Sequence, residues 1–182
     1  MRTSRSKLVA ALCLTAVTLS VSARQEVQWQ GMVVHITDGD TLWVRPQNPA
    51  HADPAPQKIR LEGIDAPESC QTYGRQSMLA LKQLIDQKMV TVIPRRRDDY
   101  GREVARITLN KTDVGAWMVS HGHAWSYHYR YSAGPYAAQE LTAQSARLGL
   151  FATSAPVQPS AFRKTHGSCY TAKGAQPRTQ RN

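Results

Sequence analysis

A helical stretch set inside a run of short β-prone segments constrains this chain more than any other feature. Residues 32–36 and 41–45 are β-prone and are joined by Thr37-Asp38-Gly39-Asp40. An Asp-Gly turn between two such runs predicts a hairpin. Residues 46–57 hold four prolines and read as a loop. Residues 58–64 then alternate, with Ile59 and Leu61 pointing one way and Arg60 and Glu62 the other, until Ala66-Pro67 ends the strand. Between Gly74 and Gln87 the period changes. Met78, Leu81, Leu84 and Ile85 recur there as one face of a helix. Two more strands, 90–93 and 104–109, flank a polar turn over 95–102. A short helix over 113–121 presents Val114, Trp117 and Met118, with Asp113 placed to cap it. A last helix over 135–148 carries Ala137, Leu141 and Leu148 on one stripe and stops at Gly149. Beyond Phe151 the chain shows little periodicity.

Five short strands with a helix between the third and fourth, followed by two helices, predict an α+β fold: a five-stranded OB-like β-barrel with three helices. Such barrels commonly bind oligonucleotides, although a fold does not by itself give a function. With 41% hydrophobic residues in 182, the chain can fill one core, which excludes a disordered acidic tail protein and a multi-domain assembly. No apolar run reaches the ~18 to 20 residues of a membrane span, so a polytopic membrane protein is excluded as well.

The first 23 residues stand apart from this pattern. Arg2, Arg5 and Lys7 precede an apolar stretch over residues 8–21, and Val21-Ser22-Ala23 supplies small residues for cleavage. That is the layout of a secretory signal peptide, with the mature chain beginning after Ala23. Residues 24–152 then form the folded domain and 153–182 a basic, low-complexity tail. The formal charge of +10 falls to +7 once the three leader cations are removed. A balance so basic points to a polyanionic partner: nucleic acid or an anionic surface. Cys13 leaves with the leader, so Cys70 and Cys169 remain. An even count in an oxidising compartment favours a disulfide between them, tethering the tail beside the barrel.

Several residues at strand ends could carry chemistry. Asp40 follows the hairpin turn, Asp65 ends the third strand, and Glu68 lies three residues on. Two aspartates from adjacent strand ends offer oxygen donors to a hard divalent cation, with Glu68 placed to act on water; singly, each aspartate is an ordinary turn residue. Arg60 leads into Asp65, and Arg102 closes the Asp98-Asp99-Tyr100-Gly101-Arg102 turn. Each could bind phosphate through its guanidinium fork. Arg95, Arg96 and Arg97 form either a phosphate track or a solvated basic run. His121, His123 and His128 lack a carboxylate at matching spacing and read as structural or surface residues.

In order along the chain, Asp38-Gly39-Asp40-Thr41, Ile59-Arg60-Leu61-Glu62-Gly63-Ile64-Asp65-Ala66-Pro67-Glu68, Tyr73-Gly74 and Asp98-Asp99-Tyr100-Gly101-Arg102 resemble the successive motifs of the thermonuclease, or staphylococcal-nuclease-like, family. The resemblance runs from about Val33 to Phe151. It implies a Ca²⁺-dependent phosphodiesterase on an OB-fold, cutting DNA and RNA to leave 3′-phosphate ends. By this likeness Asp40 and Asp65 ligate the metal through their carboxylates, Ala66 ligates it through its main-chain carbonyl, and Thr41 supports them. Glu68 would be the general base, Arg60 and Arg102 the phosphate ligands, and Tyr129 and Tyr131 the substrate-facing tyrosines. The segment between Glu68 and Tyr73 is shorter than in the family's type member, and Asp99 stands where that member has lysine. The expected protein is an exported monomeric nuclease without a membrane anchor in its mature form. The competing expectation is an OB-fold module that binds nucleic acid without cutting it.

Overall fold

The hairpin forms where the Asp-Gly turn predicts it. In the computed structural model, which describes residues 27–47, 55–167 and 169, strand β1 (Trp29–Ile36) turns into β2 (Thr41–Pro46), with Ile36 opposite Leu42 in the antiparallel pair. Gly39 is there because of a close approach. A Cβ at this position would overlap the Ser77 hydroxyl and come within 2.8 Å of Ala66 Cβ, so the turn lies directly against the loop that carries Glu68 and the helix after it. The expected leader, residues 1–23, lies outside the described residues.

Strand β3 (Gln57–Leu61) pairs antiparallel with β2. The single strand expected over 58–64 is broken: Gly63 takes φ +77°, and Ile64 and Asp65 form a separate strand, β4 (Ile64–Asp65), paired with β8 (Trp125–Ser126). Helix α1 (Gly74–Ile85) buries Ala80, Leu81 and Ile85, with Met78 and Leu84 packed on the core edge. β5 (Met89–Arg97) pairs antiparallel with β1 and with β6 (Glu103–Leu109). β6 also runs parallel to β3, and this pairing closes the order β3-β2-β1-β5-β6 into a five-stranded barrel, as expected. Arg95–Arg97, read as part of a turn, instead extend β5. Arg96 opposes Val104 and Arg97 opposes Glu103, after an irregularity at Pro94, so only residues 98–102 make the turn.

β7 (Thr112–Asp113) leads into α2 (Val114–Ser120), which Asp113 caps by accepting from the Ala116 N–H at 3.0 Å. α3 (Ala137–Ser145) is shorter than expected and turned about its axis. Glu140 and Ala143 are buried, while Leu141 is exposed. The cause is polar: the Glu140 carboxylate accepts from the Ser126 N–H (2.8 Å) and from Gln144 Nε2 (2.9 Å), which fixes β8 to the helix. A 3₁₀ turn (Gly149–Ala152) packs Leu150 and Phe151 against Trp125.

The stretch after it is not structureless. Pro159–His166 form a fourth helix, α4, with proline in the first turn and Gly167 at φ +73° as its stop. Cys70 and Cys169 are joined in a disulfide, Cα–Cα 5.7 Å, as the cysteine count predicts. The main core lies inside the barrel and under α1 and α2, around Val33, Leu42, Ile59, Leu61, Leu81, Ile107 and Met118. No helix among the described residues is long and apolar enough to cross a membrane.

Candidate active site

Barrel closure brings the hairpin turn, the end of β3, β4 and the β5–β6 turn to one rim, where they line a groove of about 1160 Å³. Asp40 and Asp65 are 4% and 5% exposed and share the Arg60 guanidinium. Arg60, projecting from the polar face of β3, donates from Nη1 to Asp40 Oδ2 at 2.7 Å and from Nη2 to Asp65 Oδ1 at 3.1 Å. Its Nη2 also donates to the Ile64 carbonyl at 3.2 Å, which ties β4 to the same guanidinium.

The rest of the shell fixes Asp40. Its Oδ2 accepts from the Ala66 N–H (3.1 Å) and its Oδ1 from the Thr41 hydroxyl (2.9 Å). Its own N–H donates to Asp38 Oδ1 (3.0 Å). Burial alone would raise the Asp40 carboxyl, but the Arg60 charge and these hydrogen bonds outweigh it and hold the group below the ordinary aspartate value. For Arg60, burial disfavours the charged form, and Asp40 and Asp65 outweigh that, so the guanidinium is raised and stays protonated.

Glu68 sits on the segment that joins β4 to α1. Gln71 holds this segment twice: the Glu68 N–H donates to Gln71 Oε1 (3.1 Å), and the Gln71 N–H donates to the Glu68 carbonyl (2.8 Å). Gly74 completes the arrangement, because any Cβ there would run into the Glu68 carbonyl oxygen. The Tyr73-Gly74 motif is thus a packing requirement of the Glu68 loop. Arg102, on the opposite side of the groove, is held by Asp98. Its Nε donates to Asp98 Oδ2 (2.8 Å) and its N–H to Asp98 Oδ1 (2.9 Å), while Nη1 lies 3.4 Å from the Thr41 hydroxyl. Burial would raise Asp98, but the bonds from Arg102 outweigh it and lower the group.

The structure therefore gathers Asp40, Thr41, Arg60, Ala66, Glu68 and Arg102 around one groove, while Asp65, bonded to Arg60, is not among the residues that line it. Tyr129 lines the groove and is 59% exposed, whereas Tyr131, wholly exposed, is not among the lining residues. Tyr127, Tyr100 and Tyr136 do line it. His123 is stacked beside Trp117 and bonded through Nδ1 to the Tyr73 hydroxyl (3.0 Å), a structural placement. One charged residue was not anticipated at all. Arg163 of α4 donates from Nη1 to Glu68 Oε1 (2.8 Å) and Asp65 Oδ1 (3.2 Å), and from Nη2 to Asp65 Oδ2 (3.0 Å). The available signal was Pro159 and Gly167 framing eight residues as a helix would be framed.

The family described as "Staphylococcal nuclease homologue" matches residues 58–153. An "Uncharacterized endonuclease" of Haemophilus influenzae is 34% identical over 88% of this chain and 86% of its own. A protein of the same description from Escherichia coli O157:H7 is 36% identical over 73% of this chain and 84% of its own. A probable staphylococcal-like nuclease of Oryza sativa is 36% identical over 59% of this chain but only 28% of its own. With just over half its length matched by the family and a relative 34% identical across most of both chains, the protein belongs to the staphylococcal nuclease homologue family.

Proposed function

We propose that the protein is an exported, monomeric, Ca²⁺-dependent nuclease that hydrolyses phosphodiester bonds of DNA, and of RNA, leaving 3′-phosphate ends. The observation that carries this reading is the convergence of two buried carboxylates on Arg60, with Glu68 and Arg102 on the same groove.

The donor set suits a hard cation. Among the described residues no group of three or more His, Cys, Asp or Glu side chains is arranged to hold a metal. Asp40, Asp65 and the Ala66 carbonyl offer oxygen alone, and Ca²⁺ accepts carboxylate, carbonyl and water oxygens together. When bound there, the ion supplies positive charge against the charge developing on the phosphorus oxygens. The protein's own groups do the rest. Glu68 takes the proton of the attacking water. Arg60 and Arg102 hold the phosphate and stabilise its transition state, the electrostatic form of catalysis. Thr41 and Ala66 keep Asp40 in place through its two carboxylate oxygens, and Tyr129 on the groove, with the exposed Tyr131 outside its lining, meets the flanking bases or sugars.

Export is supported by the Cys70–Cys169 disulfide, a bond that persists in oxidising compartments, and by the leader-like residues 1–23. Residues 24–152 would then be the nuclease domain and the remainder its tail. The decisive test is Glu68→Gln assayed on plasmid DNA in Ca²⁺ and in chelator. Turnover should fall by ~10² to 10⁴, as for loss of a general base, while Ca²⁺-dependent oligonucleotide binding persists. A Glu68→Gln protein with near wild-type rate would overturn the assignment. A wild-type protein that binds DNA and never cuts it would establish the binding-module reading instead.

A further inference from the structure

Helix α4 is an unusual guest at this groove. Pro159 is its only buried residue, so little apolar surface holds it. Its attachments are polar and covalent, and they cluster on the loop that carries Glu68. Gln71 Nε2 donates to the Val157 carbonyl at 2.6 Å, just before the helix, and Cys70 is bonded to Cys169 just after it. Between these two ties, Arg163 reaches into the groove while remaining 34% exposed.

What Arg163 occupies there matters for cation binding. A carboxylate offers about four lone-pair positions. On Asp65, Oδ1 already accepts from Arg60 and Arg163, and Oδ2 accepts from Arg163 at 3.0 Å. A Ca²⁺ ion bonded to Asp65 would stand about 2.3–2.6 Å from the same oxygens. Guanidinium and ion would then be close neighbours of like charge and would repel each other. On Glu68, Oε1 accepts from Arg163 at 2.8 Å, the shortest of the three contacts, so a guanidinium already occupies an oxygen that the proposed base would turn toward water.

We propose that Arg163 is a built-in competitor of the divalent cation: tethered through α4 and the Cys70–Cys169 bond, it occupies Asp65 and masks Glu68, and so sets the cation concentration at which the site assembles. The inference rests on the cation reading above. It gives α4 a task that its weak packing suits, because a strap held by few apolar contacts is readily displaced.

Calorimetric titration of the disulfide-intact protein with CaCl₂ alone tests it, without substrate and without reference to turnover. Arg163→Gln should tighten Ca²⁺ binding by roughly tenfold, the usual scale of coupling between interacting sites. Arg163→Lys, which keeps the charge and loses the fork, should fall between that variant and the wild type. The double variant Cys70→Ser/Cys169→Ser, which keeps Arg163 and cuts its tether, should also bind Ca²⁺ more tightly, because the guanidinium then competes from a lower effective concentration. Equal or weaker Ca²⁺ affinity in Arg163→Gln overturns the proposal, including the case in which its melting temperature falls while affinity is unchanged, the mark of a purely structural arginine. In that outcome the cation reading stands. If neither wild type nor Arg163→Gln binds Ca²⁺, the cation reading itself fails and the competition fails with it.

Discussion

Replacing Arg60 by Met tests whether the groove is organised by charge. The substitution keeps an unbranched stem and removes only the guanidinium. In the native protein that guanidinium is bonded to Asp40 and Asp65, whose side chains are 6% and 7% exposed. Removing one partner of a buried pair costs about 3–5 kcal/mol, because the remaining charge is left without compensation. The lower end applies here. Asp65 retains Arg163 at 3.0 Å, and Asp40 retains the Ala66 N–H and the Thr41 hydroxyl. About 3 kcal/mol corresponds to roughly 6–12 °C in Tm for a chain of this size. The pH dependence has a definite sign. With Arg60 present, Asp40 lies below its ordinary 3.8, so it contributes stability above that value and loses it as pH falls through the folded one. Without Arg60, burial dominates and raises Asp40, so the group destabilises the native state at neutral pH and is relieved by acid. The deficit of Arg60→Met is therefore greatest near pH 7.5 and shrinks toward pH 5. Denaturant unfolding in chelator at both pH values measures it. A loss below about 1 kcal/mol at pH 7.5 with an unchanged m-value, or a deficit that grows in acid, would refute the charge-cluster account.

Arg102→Ala should lower kcat more than it lowers the salt dependence of single-stranded DNA binding, since one phosphate contact changes that slope by less than one unit; a change in the slope alone would make Arg102 a surface cation. Burial first, and the neighbouring His121 second, hold His123 below the ordinary histidine value of 6.5. The unfolded chain takes up that proton at higher pH than the native one, so the stability present above 6.5 is lost as pH falls below it. His123→Gln should flatten the fall of Tm between pH 7 and 5, and an unaltered profile would count against a half-buried neutral imidazole.

Alternation and turn chemistry suffice to reach the barrel, because each of its strands carries its own signal. Ile59 and Leu61 are fully buried while Arg60 and Glu62 keep partial exposure, and Asp113 caps the helix it precedes. Where periodicity misleads, contacts it does not encode decide the outcome. Leu141 looks like the buried face of α3, yet Glu140 takes that place because the Ser126 N–H needs an acceptor there. Arg95–Arg97 look like a turn, yet the ladder with β6 continues through them, because their exposed side chains stay solvated on the strand. α4 is nearly invisible to a hydrophobic pattern, since a disulfide and one arginine hold it in place of an apolar stripe. Residues on the barrel rim were legible by motif, and Asp98, which orients Arg102, was legible only as part of its turn. Between β8 and α3, side-chain direction follows a local bridge from Tyr129 to Ser132, which no periodicity encodes.

Charge counting around the groove yields a last expectation. Asp40, Asp65 and Glu68 face Arg60 and Arg163, while Arg102 is committed to Asp98, so the metal-free centre carries about one net negative charge. A phosphodiester brought to that centre meets repulsion, despite the basic chain around it. One divalent ion that takes the place of Arg163 brings the centre to about neutral, which lifts the repulsion on a singly charged phosphate. Ion and substrate should therefore bind with positive coupling, and by linkage each must strengthen the other by the same factor. For Glu68→Gln, which removes one of the three carboxylates and so leaves a metal-free centre near neutral, the coupling should survive in reduced form. Fluorescence anisotropy with a labelled phosphorothioate oligonucleotide, with and without CaCl₂, measures one arm of the linkage, and calorimetric Ca²⁺ titration with and without that oligonucleotide measures the other. A factor of about 5–150 on both arms is the expected range for coupled sites. Oligonucleotide binding that is indifferent to Ca²⁺, or weakened by it beyond the ionic-strength effect, would mean that the groove carboxylates do not face the phosphate.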